Sequence, residues 1–450
     1  MKLPRYPKYK DSGVKWLGQV PEHWAVTRMK WAVTACKNGV WGNEAQQDED
    51  DIPCVRVADF DRNRINVKLN DPTIRNVPKK DRVGRALRRG NLLLEKSGGG
   101  EQQPVGCVVL YDDDAPAVCS NFIARVEIAP KMNASYWRYV HAAAYSVRLN
   151  IRSINQTSGI QNLDQTRYFN EQAAFPPSDE QNSIAVFLGH ETGKIDLFID
   201  EQQRLIELLK EKRQAIISHA VTKGLNPDAP MKPSGVKWLG EVPASWKVCL
   251  LKRAFRSIEY GISDAVGADG SIAILRMGNI VNGKIDYTDL KYIDSVDRSL
   301  LLQEEDLLYN RTNSLDQIGK VGLFHGDIEG QFSFASYLVR LRTVSDSLPE
   351  FFAYLLNTEN ILGLSRASAF VAIGQCNLNP SRYGRIIVTI PPKAEQSEIV
   401  RYLDKATSRI DNLIADASRA IDLLQERRSA LISAAVTGRI DVRGERNAVL

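Results

Sequence analysis

The stretch SGVKWLGQVPEHW, Ser12–Trp24, returns as SGVKWLGEVPASW, Ser234–Trp246. Seven consecutive identities, followed by Val-Pro and a Trp at fixed distances, make an internal repeat, and a repeat governs the reading of everything between its copies. The offset is 222 residues. A second matched pair follows at an offset of 215: Pro176-Pro177 through Glu180-Gln181 to Ala220-Val221-Thr222 faces Pro391-Pro392 through Glu395-Gln396 to Ala435-Val436-Thr437. Within it LIELLKEKRQAIIS, Leu205–Ser218, faces AIDLLQERRSALIS, Ala420–Ser433. Between these anchors the match thins to isolated positions: Arg56 with Arg276, Val105-Gly106 with Ile318-Gly319, Asn162-Leu163 with Asn377-Leu378, and Arg167-Tyr168 with Arg382-Tyr383. Spacing and apolar positions persist while most polar residues differ. That is the pattern of one scaffold used twice with different surface chemistry.

The repeat divides the chain into a leader (1–24), a module (25–175), a helical segment (176–230), a second leader with a second module (231–390), and a second helical segment with the tail (391–450). The modules read as α+β. Pro53–Phe60, Gly106–Asp112 and Asn121–Ala129 are rich in β-branched residues and alternate in polarity, as short strands do. Ser135–Val147 has helical spacing with Ser135 placed to cap it, and Leu348–Asn357 is its counterpart.

Each matched segment opens on Pro-Pro. Ser178 with Gln181 reads as a capping box, which Lys393 removes from the second copy. A short helix is expected to about Leu188, a break at Gly189 and Gly193, then long helices over about Lys194–Val221 and Ser408–Val436, with Gly224 and Gly438 as stops. Apolar residues at Ile195, Phe198, Leu205, Leu209 and Ile216, and at Ile410, Leu413, Ala417, Ala420, Leu424 and Leu431, follow three-and-four spacing, the signature of a coiled-coil seam. Two near-identical seams can bury each other as an antiparallel pair. A helix of about 28 residues spans about 42 Å, or roughly 12 base pairs of DNA.

The 450 residues carry 43% hydrophobic and 25% charged side chains, an ordinary globular composition, with a net charge of +5 that permits an anionic partner without demanding one. Six cysteines at 36, 54, 107, 119, 249 and 376 form no CxxC pair and read as reduced thiols of a cytosolic protein. Met1–Lys10 lacks the apolar core of a secretion signal, and no apolar run approaches a membrane span. Gly278–Ile285 fits GxxxxGK, but Ile285 stands where a P-loop needs Ser or Thr, so a tight turn between strands is expected. Ser97–Gly100 reads as a flexible loop. Phe175–Ser178 reads as a junction between module and helix, His190-Glu191 is not HExxH, and no GxSxG elbow appears. No complete catalytic set and no metal-ligand cluster emerges.

Basic residues gather between Arg75 and Arg89, including Lys79, Lys80 and Arg82. Lys96 and Ser97 follow Leu92–Leu94 as Arg311 and Asn313 follow Leu307–Tyr309, putting hydrogen-bonding side chains at equivalent strand ends. Arg suits guanine and Asn or Gln suits adenine. The candidate DNA contacts are therefore Arg56, Lys79, Lys80, Arg82, Lys96, Ser97, Gln102, Gln161, Arg276, Asn279, Arg311, Asn313, Gln317 and Gln375.

The doubled SGVKWLG…VP…W leader, the PP…EQ junction and the LL-x-E-[KR]-R…AVT-x-G helix resemble the specificity subunit of type I restriction–modification systems, over the whole chain. The resemblance implies two tandem target-recognition domains, each reading half of a bipartite asymmetric site, with the two long helices as an antiparallel coiled-coil spacer. It implies a non-catalytic, cytoplasmic subunit whose partners are double-stranded DNA, two modification (methyltransferase) subunits docked on the helices, and restriction subunits. S-adenosylmethionine, ATP and magnesium would belong to those partners, and adenine methylation would take a flipped base. A peptide-binding scaffold and a self-sufficient DNA-modifying enzyme are the alternatives.

Overall fold

A computed structural model describes residues 3–444 apart from 158, 282, 327 and 373. Asn282 of the GxxxxGK-like stretch, the first two leader residues and the tail from 445 therefore lie outside the described residues. Contacts group the chain into two compact units, Met1–Gln203 with Ser418–Leu450, and Arg204–Ala417. The boundaries cut through the long helices, so each unit owns parts of both.

The first unit is built on a six-stranded sheet in the order Val33–Asn38, Ile123–Ile128, Asn91–Glu95, Val108–Tyr111, Asn66–Val67, Phe60–Asp61. The second repeats that order with Phe255–Tyr260, Leu338–Thr343, Leu307–Asn310, Val321–Leu323, Lys284–Ile285, Ile280–Val281. The registers match as well: Asn38 pairs with Ala124, and Tyr260 with Val339. The duplicated central strands, Leu92–Leu94 and Leu307–Tyr309, are fully buried, as their unbroken apolar runs require. The expected strands at 53–60, 106–112 and 121–129 form, each shortened: Asp51–Val55, Val108–Tyr111 and Ile123–Ile128. Both leaders fold alike as a short hairpin (Tyr9–Asp11 with Gln19–Pro21; Met231–Pro233 with Glu241–Pro243) followed by a wholly buried Trp24 or Trp246.

One helix in each module lies against the sheet, α1 (Ala134–Ser146) in the first unit and α3 (Pro349–Leu356) in the second; between and after them run the long helices α2 (Ser178–Lys223) and α4 (Lys393–Val436). The cap of α1 is the Asn133 side chain, which accepts from the Tyr136 amide, and not Ser135. The expected break in the first long helix is absent. Gly189 and Gly193 sit inside one continuous 46-residue helix, and its twin has 44. Ile184, Leu188, Thr192 and Ile195 are buried on both sides of the glycines. A helical Gly costs about 1 kcal/mol relative to Ala, too little to interrupt a buried seam. At 1.5 Å per residue α2 is roughly 69 Å long, so the 42 Å figure rested on a boundary the helix does not have.

The capping box also gives way to another arrangement, the same in both copies. Gln181 donates from Nε2 to the Pro176 carbonyl and accepts at Oε1 from the Asn133 amide. Gln396 donates to the Pro391 and Asp346 carbonyls and accepts from the Leu348 amide. A buried amide side chain thus ties the start of each long helix to the start of the module helix, which explains why Lys393 can replace Ser178.

The two long helices pack antiparallel within each unit. In the first, Asp196 pairs with Arg428 at 2.9 Å, and Glu180 with Arg443 beyond the end of α4 at 3.6 Å. In the second, Arg213 pairs with Asp411 at 3.0 Å. The seam runs through Ile195, Ile199, Leu209 and Ile217 of α2 and Ile399, Leu403, Ile410, Ala417 and Ile432 of α4, all buried. Ile195, Leu209, Ile410 and Ala417 were expected there, and Ile216, Ala420, Leu424 and Leu431 are half-buried at its margin. Phe198, Leu205 and Leu413 were expected there too, but lie outward at 60%, 42% and 45% exposure. Each flanks a better-placed residue, and the run of apolar residues around them hid the true phase.

Candidate nucleic-acid interface

At one edge of each main sheet the chain leaves a central strand and joins a small three-stranded sheet. In the first unit Ser97–Gly98 pairs with the hairpin Ile154–Thr157/Ile160–Leu163; in the second Thr312–Asn313 pairs with Phe370–Ala372/Gln375–Asn377. Ser97–Gly98 is therefore strand, where a flexible loop was expected. The turn before it is fixed identically in both copies: the Phe122 carbonyl accepts from the Lys96 and Ser97 amides, and the Tyr337 carbonyl from the Arg311 and Thr312 amides. Phe122 and Tyr337 themselves are exposed at 45% and 46%.

The side chains on this scaffold differ. In the first unit Lys96 Nζ donates to Asn38 Oδ1 at 2.7 Å, beside exposed Asn155, Gln156 and Asn162. Ser97 Oγ donates to Asn162 Oδ1 at 2.6 Å. In the second, the Arg311 guanidinium lies 5.0 Å from the ring centre of Tyr260, the residue equivalent to Asn38. Around it Phe370, Val371 and Gln375 are exposed. Each surface thus places a cation, an aromatic ring and amide groups at matching positions with non-matching identities. Such a surface can contact phosphates, stack on rings and read base edges.

Glycines at equivalent sites make room for it. A Cβ on Gly39 would lie 2.0 Å from the Cys119 carbonyl oxygen, and one on Gly261 2.2 Å from that of Phe334. The chain can cross the neighbouring strand there only without a side chain.

The sequence-predicted residues separate. Lys96, Ser97, Arg311, Asn313 and Gln375 lie in these surfaces. Asn313 accepts from the Ser314 amide at 2.8 Å, and Gln317, next along, bonds Asp316 and Lys320. Gln102 is exposed in a loop and Lys80 in the short helix Lys79–Arg82. Gln161 and Asn279 are buried and serve the fold: Gln161 accepts from the Val105 amide, and Asn279 donates to the Asp286 and Thr288 carbonyls. Arg56 and Arg276 fold back on Asp59 and Asp289 at 2.9 Å each. Lys79 is neutralised by Glu49 at 2.7 Å, a bond that raises its pKa, and Arg82 by Asp50 at 3.3 Å. Asn38, Phe122, Tyr260 and Tyr337 were missed; applying the two offsets position by position pairs Asn38-Gly39 with Tyr260-Gly261 and Phe122 with Tyr337.

The thiols are poorly placed for chemistry. Burial pushes Cys36 up to about 11 and Cys54, Cys107 and Cys119 up to about 12. Among the described residues no group of three or more His, Cys, Asp or Glu could hold a metal ion, and no helix is long and apolar enough to cross a membrane.

Two modules of one topology, each bearing its own set of exposed side chains and each followed by a long helix, are an arrangement that known proteins share. The family model described as type I restriction modification DNA specificity domain matches residues 262–418. The type I restriction enzyme EcoKI specificity subunit of Escherichia coli K12 is 22% identical over 435 residues, covering 94% of this chain and 90% of its own. Among solved structures, a chain from work on complex assembly and conformational transition of the type I R-M system superposes with a TM-score of 0.69 at 12% identity, covering 93% of this chain and 98% of that one. The HsdS subunit from Thermoanaerobacter tengcongensis gives 0.50 at 13% identity, covering 94% and 98%.

Proposed function

We propose that this chain is the DNA-specificity subunit of a type I restriction–modification complex and that it reads a bipartite, asymmetric site. The observation that carries this reading is the duplicated scaffold with unlike side chains at like positions: Lys96 over Asn38 in one copy, Arg311 over Tyr260 in the other. A symmetric target would call for like surfaces. The chain contributes address and not chemistry. Methyl transfer, and with it S-adenosylmethionine, belongs to two methyltransferase subunits, and ATP with magnesium to restriction subunits, all working in the cytoplasm. The outward apolar residues of the long helices, Leu197, Phe198, Leu205 and Leu208 on α2 with Leu413 and Leu423 on α4, are the docking faces for the methyltransferase subunits. Base reading falls to Lys96, Ser97, Arg311, Asn313 and Gln375, together with the missed Asn38 and Tyr260.

Methylome sequencing of the host tests the reading. One split motif, methylated on both strands, with unlike halves around a non-specific gap, is the expected result. A palindromic or ungapped motif overturns it.

A further inference from the structure

We propose that the first unit alone carries a phosphate-binding cradle, formed by Lys37, Arg85 and Lys96 around Asn38, so that the two halves of the DNA site are held by unequal electrostatics. The inference rests on the DNA-reading function proposed above and adds which half anchors the duplex.

Two cations bond Asn38, and the residue before it in the strand supplies a third. Lys96 Nζ donates to Asn38 Oδ1 at 2.7 Å and Arg85 Nε to the Asn38 carbonyl at 3.2 Å, while Lys37 Nζ, next in the strand, donates to the Val83 carbonyl at 2.9 Å. All of these acceptors are uncharged oxygens, and among the described residues no carboxylate meets Lys37, Arg85 or Lys96. Of the other basic residues of the 75–89 run, Lys79, Arg82 and Arg89 are matched by Glu49, Asp50, and Asp112 with Asp114, while Arg75 donates to the Trp41 and Gly42 carbonyls. Arg85 is the member of that run that bonds Asn38, and exposed Phe122 lies at the same turn as Lys96.

The second unit shows that the fold does not require this charge. Lys37 sits directly across the strand pair from Arg125, whose charge is met by Glu127 at 3.0 Å. The equivalent pair is Glu259 opposite Arg340, an ion pair, with Arg342 and buried Asp306 beside it. Like charges directly opposite each other are destabilising, and opposite charges stabilise. The first unit therefore keeps a lysine where its sister keeps an acid, at a cost to the strand pair. A bound polyanion offsets that cost.

The test measures full-length chain binding to duplex DNA of random sequence across a salt series. Each phosphate contact contributes about 0.9 to the slope of log affinity against log salt. The variant K37Q/R85Q/K96Q is expected to lose about 2.7 of that slope, and Arg311→Gln about 0.9. Lys37→Glu recreates the cross-strand pair of the second unit, so it should unfold at the same or higher temperature than the parent while binding DNA more weakly. An unchanged slope in the triple variant, with the parent binding normally, overturns the cradle and leaves the DNA reading intact. A parent chain that shows no salt-dependent DNA affinity overturns both. A Lys37→Glu chain that loses stability shows that the lysine serves the fold and overturns the cradle.

Discussion

Gly39 and Gly261 occupy the same place in the two copies, and in both the obstacle to a side chain is a backbone carbonyl, which cannot rotate away. Alanine at either position should destabilise its unit by about 1–3 kcal/mol, the range for an overpacked site. Gly100, where a Cβ would meet nothing within 4 Å, should accept alanine nearly silently. Calorimetric unfolding of the three variants checks this, and equal melting for all three would contradict it. His141 makes a different residue-scale case. It is buried among Trp137, Tyr168 and Phe169, with Nδ1 at 2.9 Å from the Tyr168 hydroxyl, and burial pushes its imidazole down to about 4. The unfolded chain takes up a proton near pH 6.5, so the stability from keeping this ring neutral is complete above that pH and drains away as pH falls toward 4. The loss amounts to about 3 kcal/mol at the acid end. Replacing His141 by Phe should lower stability near neutral pH by leaving the Tyr168 hydroxyl without its partner, recover that loss toward pH 4, and so flatten the pH dependence of unfolding between about 6.5 and 4. An undiminished slope would mean that other groups carry it.

At the scale of elements, the long helices show what a pattern conveys and what it hides. Their existence, their antiparallel pairing and part of the seam were legible from three-and-four spacing alone. The phase was not, because Leu197-Phe198 beside Ile199 and Leu208 beside Leu209 offer two apolar faces, and spacing cannot tell a face that meets the sister helix from one that faces outward. The glycine break was misread because local propensity, about 1 kcal/mol per Gly, was set against nothing. Packing on both sides of Gly189 and Gly193 outweighs it. The reading surfaces were legible only in part for a related reason: Gln161 and Asn279 look like base readers by residue type, and only the fold shows that their amides satisfy buried backbone groups. Because a Cβ on Gly189 or Gly193 would meet nothing within 4 Å, the double alanine variant should be more stable by about 1–2 kcal/mol. It should also leave the methylated sequence unchanged. A loss of stability, or a change of target, would restore the hinge that the sequence suggested.

For the whole molecule, the proposed function gives the two continuous helices the part of a ruler. The pairs Asp196–Arg428 and Arg213–Asp411 are separated by 17 residues on each helix, 196 to 213 on α2 and 411 to 428 on α4, so they share one antiparallel register. Counted in sequence from those two pairs, 199–205 of α2 corresponds to 419–425 of α4. Removing both stretches together takes out one heptad from each helix, joins Phe198 to Ile206 and Ser418 to Glu426, and preserves both the phase of the seam and the two ion pairs. Seven residues correspond to about 10.5 Å of helix, or about three base pairs. If the helices set the gap, the shortened chain, assembled with its methyltransferase partners, should methylate a motif with unchanged half-site sequences and a spacer shorter by about three base pairs. Deleting only one of the stretches should instead leave seven residues without a partner, cost stability and broaden the accepted spacing. Half-sites that change while the gap stays constant would make the helices readers and the modules mere supports, the reverse of the arrangement argued from the duplicated scaffold.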